Sequence, residues 1–304
     1  MKVILTGGLG NQIFQLNAAL DLYPGEIKLI SNIGKPRVDS NGNPEIAGLR
    51  LPSRVKIITP KVRNLELASK VFGLNLRAHF APSALERYFL GSLRFLGSLY
   101  FSIIFRELTV ICASTDVGFS KVRKLKEHDL LLGYFQSYRY LSEKTKSEFS
   151  ALSPIAPTAD YLKLRENLTG LDILVIHVRL GDYFNEPGIG VLTRKYYEEA
   201  LAEIDLSKVD KVLVFSDSPE SVLDYLPTIP NTDVEIVTNN LSSVETISLM
   251  SIGNQFIISN STFSWWAAAL STNEGNLVIA PSPWFEKMSS PRDLISPAWH
   301  TVER

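Results

Sequence analysis

The run Asp172-Ile173-Leu174-Val175-Ile176-His177-Val178 decides the fold class of this 304-residue chain, because it is nearly continuous in Ile, Leu and Val. Such a run indicates a strand that is buried on both faces of a parallel sheet. Similar runs follow at Lys211–Phe215, Val234–Val237, Gln255–Ser259 and Leu277–Ala280. Helical patterns accompany them, at Arg194–Glu203, Pro219–Tyr225, Ser243–Ile252 and Phe263–Leu270. This alternation predicts a Rossmann-like α/β domain.

The beginning of the chain predicts a second unit of the same class. Lys2–Thr6 is a short apolar run, a glycine cluster follows it, and Gln12–Leu20 has the pattern of a helix. This order indicates a strand, a turn and a helix. We place the domain boundary in the linker-like run Ser153–Thr158, which gives a first domain at 1–155 and a second at 156–304.

Length and composition narrow the class of protein. A chain of 304 residues suggests two domains. With 45% hydrophobic and 21% charged residues, it is not predominantly disordered. A net charge of −1 argues against a dedicated nucleic-acid binder. Cys112 is the only cysteine, so there is no disulfide framework and no cysteine-based metal site.

One stretch is far from neutral. Residues 46–106 hold ten Lys or Arg residues against two Glu residues, a net charge of +8, so the rest of the chain carries −9. Its second half, Leu85 to Phe105, interleaves arginines with aromatic and aliphatic side chains, and the aromatic-rich run is 88–105. That mixture is typical of a helix on an anionic membrane or facing an anionic acceptor. A core helix with a solvated basic face is the equal alternative.

The first candidate site is the glycine turn Gly7-Gly8-Leu9-Gly10-Asn11 after the first strand. A glycine turn that leads into a helix offers unpaired N–H groups and the positive end of the helix dipole to an anion. The turn departs from the dinucleotide fingerprint, because Ile13 stands where the third glycine belongs. A tight turn without a ligand is the alternative.

The second candidate site lies at the end of the apolar run Asp172–Val178. His177, Arg179 and Asp182 lie within six residues at the carboxyl end of that strand, which is where open α/β sheets bind ligands. Arg179 suits a phosphate, because its guanidinium group stays charged and can bind two oxygens at once. The alternative is an ion pair between Arg179 and Asp182 that stiffens the loop.

Two further strand ends carry polar residues. In Ser259-Asn260-Ser261-Thr262-Phe263-Ser264-Trp265-Trp266, a hydroxyl can cap the following helix, and its N–H groups would bind a diphosphate. A plain helix cap is the alternative, and we expect the two tryptophans to be core residues. Asp217 ends another strand, where it either accepts hydrogen bonds from a base or ribose or caps the next helix. None of these strand ends supplies the ligand set of a metal site.

Taken in order, these motifs resemble the bacterial α-1,2-fucosyltransferases of glycosyltransferase family 11. The likeness covers the opening glycine motif, His177-Val178-Arg179-Leu180-Gly181-Asp182, Phe215-Ser216-Asp217 and the long motif at 259–266. It is weak between about 30 and 130, where acceptor-binding segments are expected. Two positions depart from the family's pattern: Leu180 replaces a second arginine, and Ala269 stands where tryptophan is frequent.

The resemblance implies a GT-B-like fold, two Rossmann-like domains with the donor site in the cleft between them. It implies inverting transfer from GDP-fucose without a metal or other cofactor. By position, Arg179 would contact the β-phosphate and His177 the nucleotide, and Asp217 would hold the guanosine end. Ser261, Thr262 and Phe263 would meet the phosphates, while Gly10 and Asn11 would approach the donor from the first domain. Arg179 and Asp182 are the candidate catalytic residues, Asp182 as a base or as a group that orients Arg179.

The sequence therefore predicts a galactoside α-1,2-fucosyltransferase that modifies a bacterial surface polysaccharide or O-antigen unit. The alternatives are a related transferase with another nucleotide sugar and a non-catalytic nucleotide-sugar or glycan-binding module. Its partners would be GDP-fucose and a glycan acceptor, with no nucleic acid. Because the first residues lack the apolar segment of a secretory signal, we expect a cytoplasmic protein. The basic stretch predicts peripheral contact with the anionic inner membrane or a lipid-linked acceptor.

Overall fold

The structure of the protein is a computed structural model, and it describes most of the chain. The described residues are 1–60, 66, 70, 83, 85–86, 88–89, 92–93, 96, 110–112, 117–119, 121–122, 125–148, 153–186, 188–238, 240–271, 273, 275–291 and 293–304. Much of the basic stretch at 46–106 and of the aromatic run at 88–105 therefore lies outside the described residues.

The chain forms two compact units. Unit 1 comprises 1–47, 51–149 and 291–294, and unit 2 comprises 48–50, 150–290 and 295–304. The chain thus passes into unit 2 at 149/150, whereas the sequence places the domain boundary at 155/156. The linker-like run is paired within unit 2, because Leu49 forms a bridge with Pro154 and Ile155 donates its N–H to the Gly48 carbonyl at 2.9 Å.

Unit 1 holds a parallel sheet. Its described strands and helices are β1 (Lys2–Ile4), α1 (Leu9–Leu22), β2 (Ile27–Ile30), β3 (Val55–Ile58), β4 (Val110–Cys112), β5 (Leu130–Leu132) and α2 (Glu143–Glu148). The strand order is β3-β2-β1-β5-β4, and every pairing is parallel. The predicted strand–turn–helix opening is confirmed, although α1 begins earlier than the predicted Gln12 because Gly8 already caps it.

Unit 2 holds the second parallel sheet, in the order β11-β10-β9-β6-β7-β8. Its elements are α3 (Ala159–Asn167), β6 (Ile173–Val178), α4 (Arg194–Ala202), β7 (Lys211–Ser216), α5 (Val222–Tyr225), β8 (Asp233–Ile236), α6 (Ser243–Met250), β9 (Gln255–Ile257), α7 (Thr262–Ala269), β10 (Leu277–Ser282) and β11 (His300–Glu303). Across both units, short 3-10 turns lie at Glu45–Gly48, Tyr138–Tyr140, Gly181–Asn185, Leu206–Lys208 and Pro219–Ser221.

The buried core of unit 2 explains why its strands can be predicted from the sequence. All six side chains of β6 are buried, as a strand flanked by β7 on one side and β9 on the other requires. Trp265 and Trp266 are fully buried, so the prediction that they are core residues is confirmed. The predicted α/β class with two Rossmann-like domains is confirmed by these two parallel sheets with their helices.

Candidate functional site

The order of the strands in unit 2 indicates the edge at which a ligand is expected. From β6 the chain runs outward through β7 to β8, and it then returns to the other side of β6 and runs outward through β9, β10 and β11. The direction of winding therefore reverses between β6 and β9. In sheets of this kind the ligand lies outside the carboxyl ends of the strands at that reversal. The candidate motifs follow β6, β7 and β9, which are neighbours, so the sequence prediction and the topology name the same edge.

His177 lies in this edge as a buried, neutral side chain. It is 4% exposed, and a 2.7 Å hydrogen bond joins its Nδ1 to the hydroxyl of Ser259. Tyr197 donates its hydroxyl proton to the His177 carbonyl at 3.1 Å. Burial and the neighbouring Arg179 lower the pKa of His177 from 6.5 to about 3, because both disfavour the imidazolium ion. At neutral pH, His177 therefore offers hydrogen bonds and no positive charge.

Arg179 is the cation at the edge, and two carboxylates hold it. Its Nη2 lies 2.8 Å from Asp182 Oδ1, and its Nε lies 3.3 Å from Asp217 Oδ2. The Arg179 side chain is 16% exposed and that of Asp182 is 53% exposed. The ion pair that sequence reasoning offered as an alternative is thus formed. Asp182 is the exposed partner of the pair.

Asp217 supports the loop that carries Arg179. Its Oδ1 accepts a hydrogen bond from the Leu180 N–H at 2.9 Å. A side chain at position 181 would collide with the Asp217 carboxylate, which is why a glycine stands there. Among the described residues, Asp217 thus binds the end of β6 rather than capping a helix. Leu180 is fully buried in the core, so this position supplies no second cation.

The long motif forms the start of α7. Ser261 caps this helix, and its hydroxyl accepts a hydrogen bond from the Phe263 N–H at 3.3 Å. The helix cap considered in the sequence analysis is therefore present. Thr262 and Phe263 are half-buried in the first turn. The Phe263 ring lies 6.1 Å from the His177 ring, centroid to centroid.

Two residues of this site had no role in the sequence reasoning. Asn260 is buried, donates to the Gly190 carbonyl at 2.9 Å, and leaves its Oδ1 without a hydrogen bond to any described residue. Tyr183 donates its hydroxyl proton to the Asn260 carbonyl at 3.3 Å, and burial raises the pKa of that hydroxyl. Asn260 lies within the motif at 259–266, and Tyr183 directly follows Asp182. This position beside the candidate residues is the sequence signal that could have pointed to them.

The glycine motif belongs to unit 1, and its helix end is already occupied. Gly8 caps α1, and the Leu9 N–H donates to Glu45 Oε2 at 2.7 Å. Gly10 is buried in the first turn. Asn11 is half-buried, and its Oδ1 accepts a hydrogen bond from Gln136 Nε2 at 2.9 Å. Glu45 lies 36 residues from Leu9, so no local pattern in the sequence could reveal this contact.

Within the described part of the chain, no group of three or more His, Cys, Asp or Glu residues is arranged to hold a metal ion. The metal-independent reaction stays a prediction. Unit 2 brings together His177, Arg179, Asp182, Asp217 and the start of α7, whereas Gly10 and Asn11 lie in unit 1. The roles assigned to all of these residues on a donor also stay predictions.

A family profile described as Glycosyl transferase family 11 matches residues 136–303, more than half of the chain. The chain belongs to glycosyltransferase family 11. The family resemblance and the prediction of a glycosyltransferase enzyme are therefore confirmed. The matched residues include the whole strand-end site of unit 2.

Two relatives from Escherichia coli are similar to this chain. An alpha-1,2-colitosyltransferase is 31% identical over 163 residues, which is 51% of this chain and 56% of that protein. The O-antigen biosynthesis glycosyltransferase WbnK is 28% identical over 321 residues, which covers 94% of this chain and 95% of that protein. This chain thus spans about half the length of the first relative and nearly all of the second.

Solved structures of glycosyltransferases also resemble this chain. The NodZ alpha-1,6-fucosyltransferase soaked with GDP-fucose is 15% identical, with a TM-score of 0.46, covering 88% of this chain and 92% of that one. The ADP-heptose lipopolysaccharide heptosyltransferase II of E. coli is 13% identical, with a TM-score of 0.48, covering 99% and 89%.

Proposed function

We propose that the chain transfers fucose from GDP-fucose to a glycan acceptor and forms an α-1,2 linkage with inversion. The acceptor would be a galactose of a bacterial surface polysaccharide or O-antigen unit. The observation that carries the proposal is the position of Arg179 at the reversal of the unit 2 sheet, with an exposed carboxylate as its exchangeable partner. The relatives named for α-1,2-colitosyl transfer and for O-antigen biosynthesis support the linkage and the acceptor class.

The reaction defines what the site must supply. An acceptor hydroxyl oxygen attacks C1 of the sugar, the bond between C1 and the phosphate oxygen breaks, and GDP leaves with the electron pair. The acceptor hydroxyl loses its proton late, to solvent water, without a dedicated base. Negative charge therefore grows on the β-phosphate as positive charge grows on the sugar ring. Arg179 would stabilise the leaving phosphate, and such an interaction strengthens in the transition state because the charge develops there.

The carboxylates around Arg179 have different tasks in this proposal. Asp217 is bound to both Arg179 and the Leu180 N–H, so it would fix the loop, and it would meet the guanosine end as the resemblance implies. Asp182 is exposed and pairs with Arg179. We assign Asp182 the task of orienting Arg179 before the phosphate replaces it, in preference to the task of a base.

The remaining groups would bind the rest of the donor. Neutral His177 would hydrogen-bond the nucleotide, while Ser261, Thr262 and Phe263 would present a hydroxyl group and N–H groups at the start of α7 to the phosphates. The cap between Ser261 and Phe263 already aligns that turn. Gly10 and Asn11 of unit 1 would approach the donor's phosphate and sugar.

One relative favours a second donor. The colitosyltransferase is 31% identical to this chain over 163 residues, and colitose differs from fucose by lacking the hydroxyl at C3. The same site chemistry would accept the GDP derivative of either sugar. The choice depends on whether the protein donates a hydrogen bond to the C3 hydroxyl, because an unpaired polar group is costly in a buried site.

The test is a comparison of the two donors with an array of galactosyl acceptors. The purified chain should transfer fucose from GDP-fucose, and mass spectrometry and NMR of the product should identify an α-1,2 linkage. Faster transfer from GDP-colitose would assign the second donor. Binding of both donors without hydrolysis or transfer to any acceptor would contradict the proposal and leave a binding module.

We further infer that the protein contacts an anionic membrane surface through the basic stretch. Among the described residues, Leu85, Tyr88, Phe89, Leu93 and Leu96 have between 38% and 82% of their surface exposed, and each is helical. Their spacing of three, four, eight and eleven residues from Leu85 is that of residues on one face of a helix. An exposed apolar face within a stretch of net charge +8 is complementary to an anionic lipid surface.

Vesicle flotation tests this contact. In the described part of the chain, no helix has both the length and the apolar character needed to cross a membrane, so the expected attachment is peripheral. The protein should float with phosphatidylglycerol vesicles at low salt and be released at high salt, because salt screens the attraction. Replacing Tyr88 and Phe89 by Ser should weaken flotation, whereas replacing the exposed Leu223 of unit 2 should not. Equal binding to neutral vesicles, or none to either, would refute the contact.

A further inference from the structure

Tyr183 of unit 2 lies between the two groups that would bind the diphosphate, Arg179 and the start of α7. It belongs to the 3-10 turn Gly181–Asn185, which follows Arg179, and its N–H donates to the Leu180 carbonyl at 3.0 Å. Its side chain reaches the residues that precede α7. Neither the sequence motifs nor the family resemblance assigns it a role.

The aromatic ring of Tyr183 lies beside Arg179. The Cζ atom of Arg179 is 5.3 Å from the centroid of the ring, which is within the distance at which an aromatic ring attracts a cation. The other partners of Arg179, Asp182 and Asp217, are carboxylates, and their charge would repel a phosphate. The ring has no net charge, so it can keep its contact with Arg179 while a phosphate is bound.

The hydroxyl group of Tyr183 joins the turn to the start of α7. It donates to the Asn260 carbonyl at 3.3 Å, and the Ser261 side chain hydrogen-bonds the same hydroxyl. Because a carbonyl can only accept, the Tyr183 proton points to Asn260, and Ser261 donates to the Tyr183 oxygen. The Ser261 oxygen accepts from the Phe263 N–H at 3.3 Å. A chain of hydrogen bonds thus runs from Tyr183 into the first turn of α7.

Asn260, which accepts the bond from Tyr183, is itself fixed in place. It is 1% exposed, and its Nδ2 donates to the Gly190 carbonyl at 2.9 Å and to the Ile189 carbonyl at 3.3 Å. Burial raises the pKa of the Tyr183 hydroxyl, so this group stays protonated and keeps donating at neutral pH. The bond from Tyr183 to Asn260 therefore restrains the turn, and Arg179 with it, relative to α7.

We propose that Tyr183 is a positioning residue that holds Arg179 at a fixed distance from the first turn of α7, so that both bind one diphosphate. The two phosphates are covalently joined, so they gain from both binding groups only when the separation of those groups matches their own. The ring of Tyr183 restrains Arg179, and its hydroxyl restrains the start of α7. The inference rests on the proposed function, which supplies the diphosphate.

Two variants separate the two contacts of the side chain. Tyr183→Phe keeps the ring beside Arg179 and removes the hydroxyl, whereas Tyr183→Leu removes both contacts. In calorimetry, GDP should bind about tenfold more weakly to Tyr183→Phe, the order of one lost hydrogen bond, and more weakly still to Tyr183→Leu. Guanosine has no phosphate, so its affinity should be unchanged in both variants.

A double-mutant cycle identifies the group through which Tyr183 acts. If Tyr183 positions Arg179, its hydroxyl has no further effect once the cation is gone. Tyr183→Phe should therefore leave the GDP affinity of the Arg179→Ala variant unchanged. A role in the stability of unit 2 alone would produce the same loss with and without Arg179, and it would weaken guanosine binding as well.

Tyr161→Phe is the matched control. The Tyr161 hydroxyl lies 2.9 Å from the Ser248 hydroxyl and accepts from Arg165 Nη1 at 2.8 Å, on helix α3 of the same unit. This variant also loses a buried hydroxyl group, so it should lower the melting temperature and leave GDP affinity unchanged.

The outcomes that would overturn the inference are specific. They are unchanged GDP affinity in both Tyr183 variants, an equal loss of GDP and guanosine affinity, an undiminished loss in the Arg179→Ala background, and no binding of GDP by the unchanged chain. Failure of the proposed function is distinguishable, because it is an absence of transfer by a chain that still binds GDP, and binding is measured without turnover.

Discussion

The two parallel sheets differ in chemistry at the carboxyl ends of their strands. At the β6/β9 edge of unit 2, one arginine lies between two carboxylates beside a buried histidine. In unit 1, the helix that follows β1 begins with the Leu9 N–H bound to the Glu45 carboxylate, and the Asn11 and Gln136 amides bond each other. The edge of unit 2 thus carries ionic side chains, whereas the amides and the carboxylate at the start of α1 bind groups of their own unit.

In a transferase with two sheets, the diphosphate and the sugar need different kinds of contact. A leaving diphosphate gains charge, so its partners must be ionic and held firmly in place before the reaction. A sugar gains its specificity from hydrogen bonds that fix orientation. Variants of the β6/β9 edge test whether its ionic side chains stabilise the leaving diphosphate.

The largest effect is expected for Arg179→Ala. Removing the cation of the β6/β9 edge should lower the rate of transfer by about 10²–10³, because Arg179 is the only cationic side chain in the sequence motifs of the proposed donor site. The melting temperature should change little. Arg194→Ala is the matched control, since Arg194 forms an exposed pair with Glu198 on a helix of the same unit. A rate within tenfold of the parent, with an intact fold, would contradict the role of Arg179.

The next effect concerns how the stability of the protein depends on pH through His177 of unit 2. Burial lowers the pKa of His177 to about 3. Above pH 6.5 both the folded and the unfolded states carry a neutral imidazole, so the pH has no effect through this group. Below pH 6.5 only the unfolded state takes up the proton, and the free energy of unfolding should fall by about 1.4 kcal/mol per pH unit until the pH nears the folded pKa.

His177→Asn should remove this slope while keeping a hydrogen bond to Ser259. Urea unfolding at several pH values between 7.5 and 5 measures the difference from the parent chain. His300→Asn is the control, because His300 is an exposed histidine paired with Glu203. An identical slope in the parent chain and in His177→Asn would show that His177 is protonated in the folded protein.

The sequence predicts unit 2 well because its signals are local. A strand buried on both faces must be continuously apolar, and a polar group that follows it must lie at the carboxyl edge. This logic located His177, Arg179, Asp217 and the cap at Ser261 from the sequence alone. The local rules missed β11 at His300–Glu303, because three of its four residues are exposed and its sequence is polar.

Unit 1 is harder to predict from the sequence because the contacts around its helix α1 join distant residues. The amide pair joins positions 11 and 136, and the anion at the helix end comes from position 45. Nothing in the residues around Asn11 specifies either partner, so only the fold brings them together. The same limit applies to Asp217, whose hydrogen bond to the Leu180 N–H spans 37 residues.

A smaller effect is expected for Asp182→Asn. The exposed Asp182 competes with a phosphate for Arg179, and an ion pair with one exposed partner contributes less than about 1 kcal/mol. GDP should therefore bind about two- to fivefold more tightly to the variant by calorimetry, and the turnover number should stay within tenfold. A hundredfold loss of turnover with unchanged GDP binding would instead identify Asp182 as the catalytic base.

The smallest effect is expected for chelation, which should leave the rate of transfer unchanged. The carboxylates at the β6/β9 edge, Asp182 and Asp217, are both engaged by Arg179. A divalent cation would have to displace that guanidinium group, and the two positive charges would then repel each other across the same oxygens. The rate with EDTA, measured against a sample with added Mg²⁺ or Mn²⁺, tests this expectation. Loss of activity on chelation and its return with either metal would mean that the metal, rather than Arg179, neutralises the leaving phosphate. Arg179→Ala with the metal present would then retain most of its activity, so the two experiments together decide which cation acts at the charged edge.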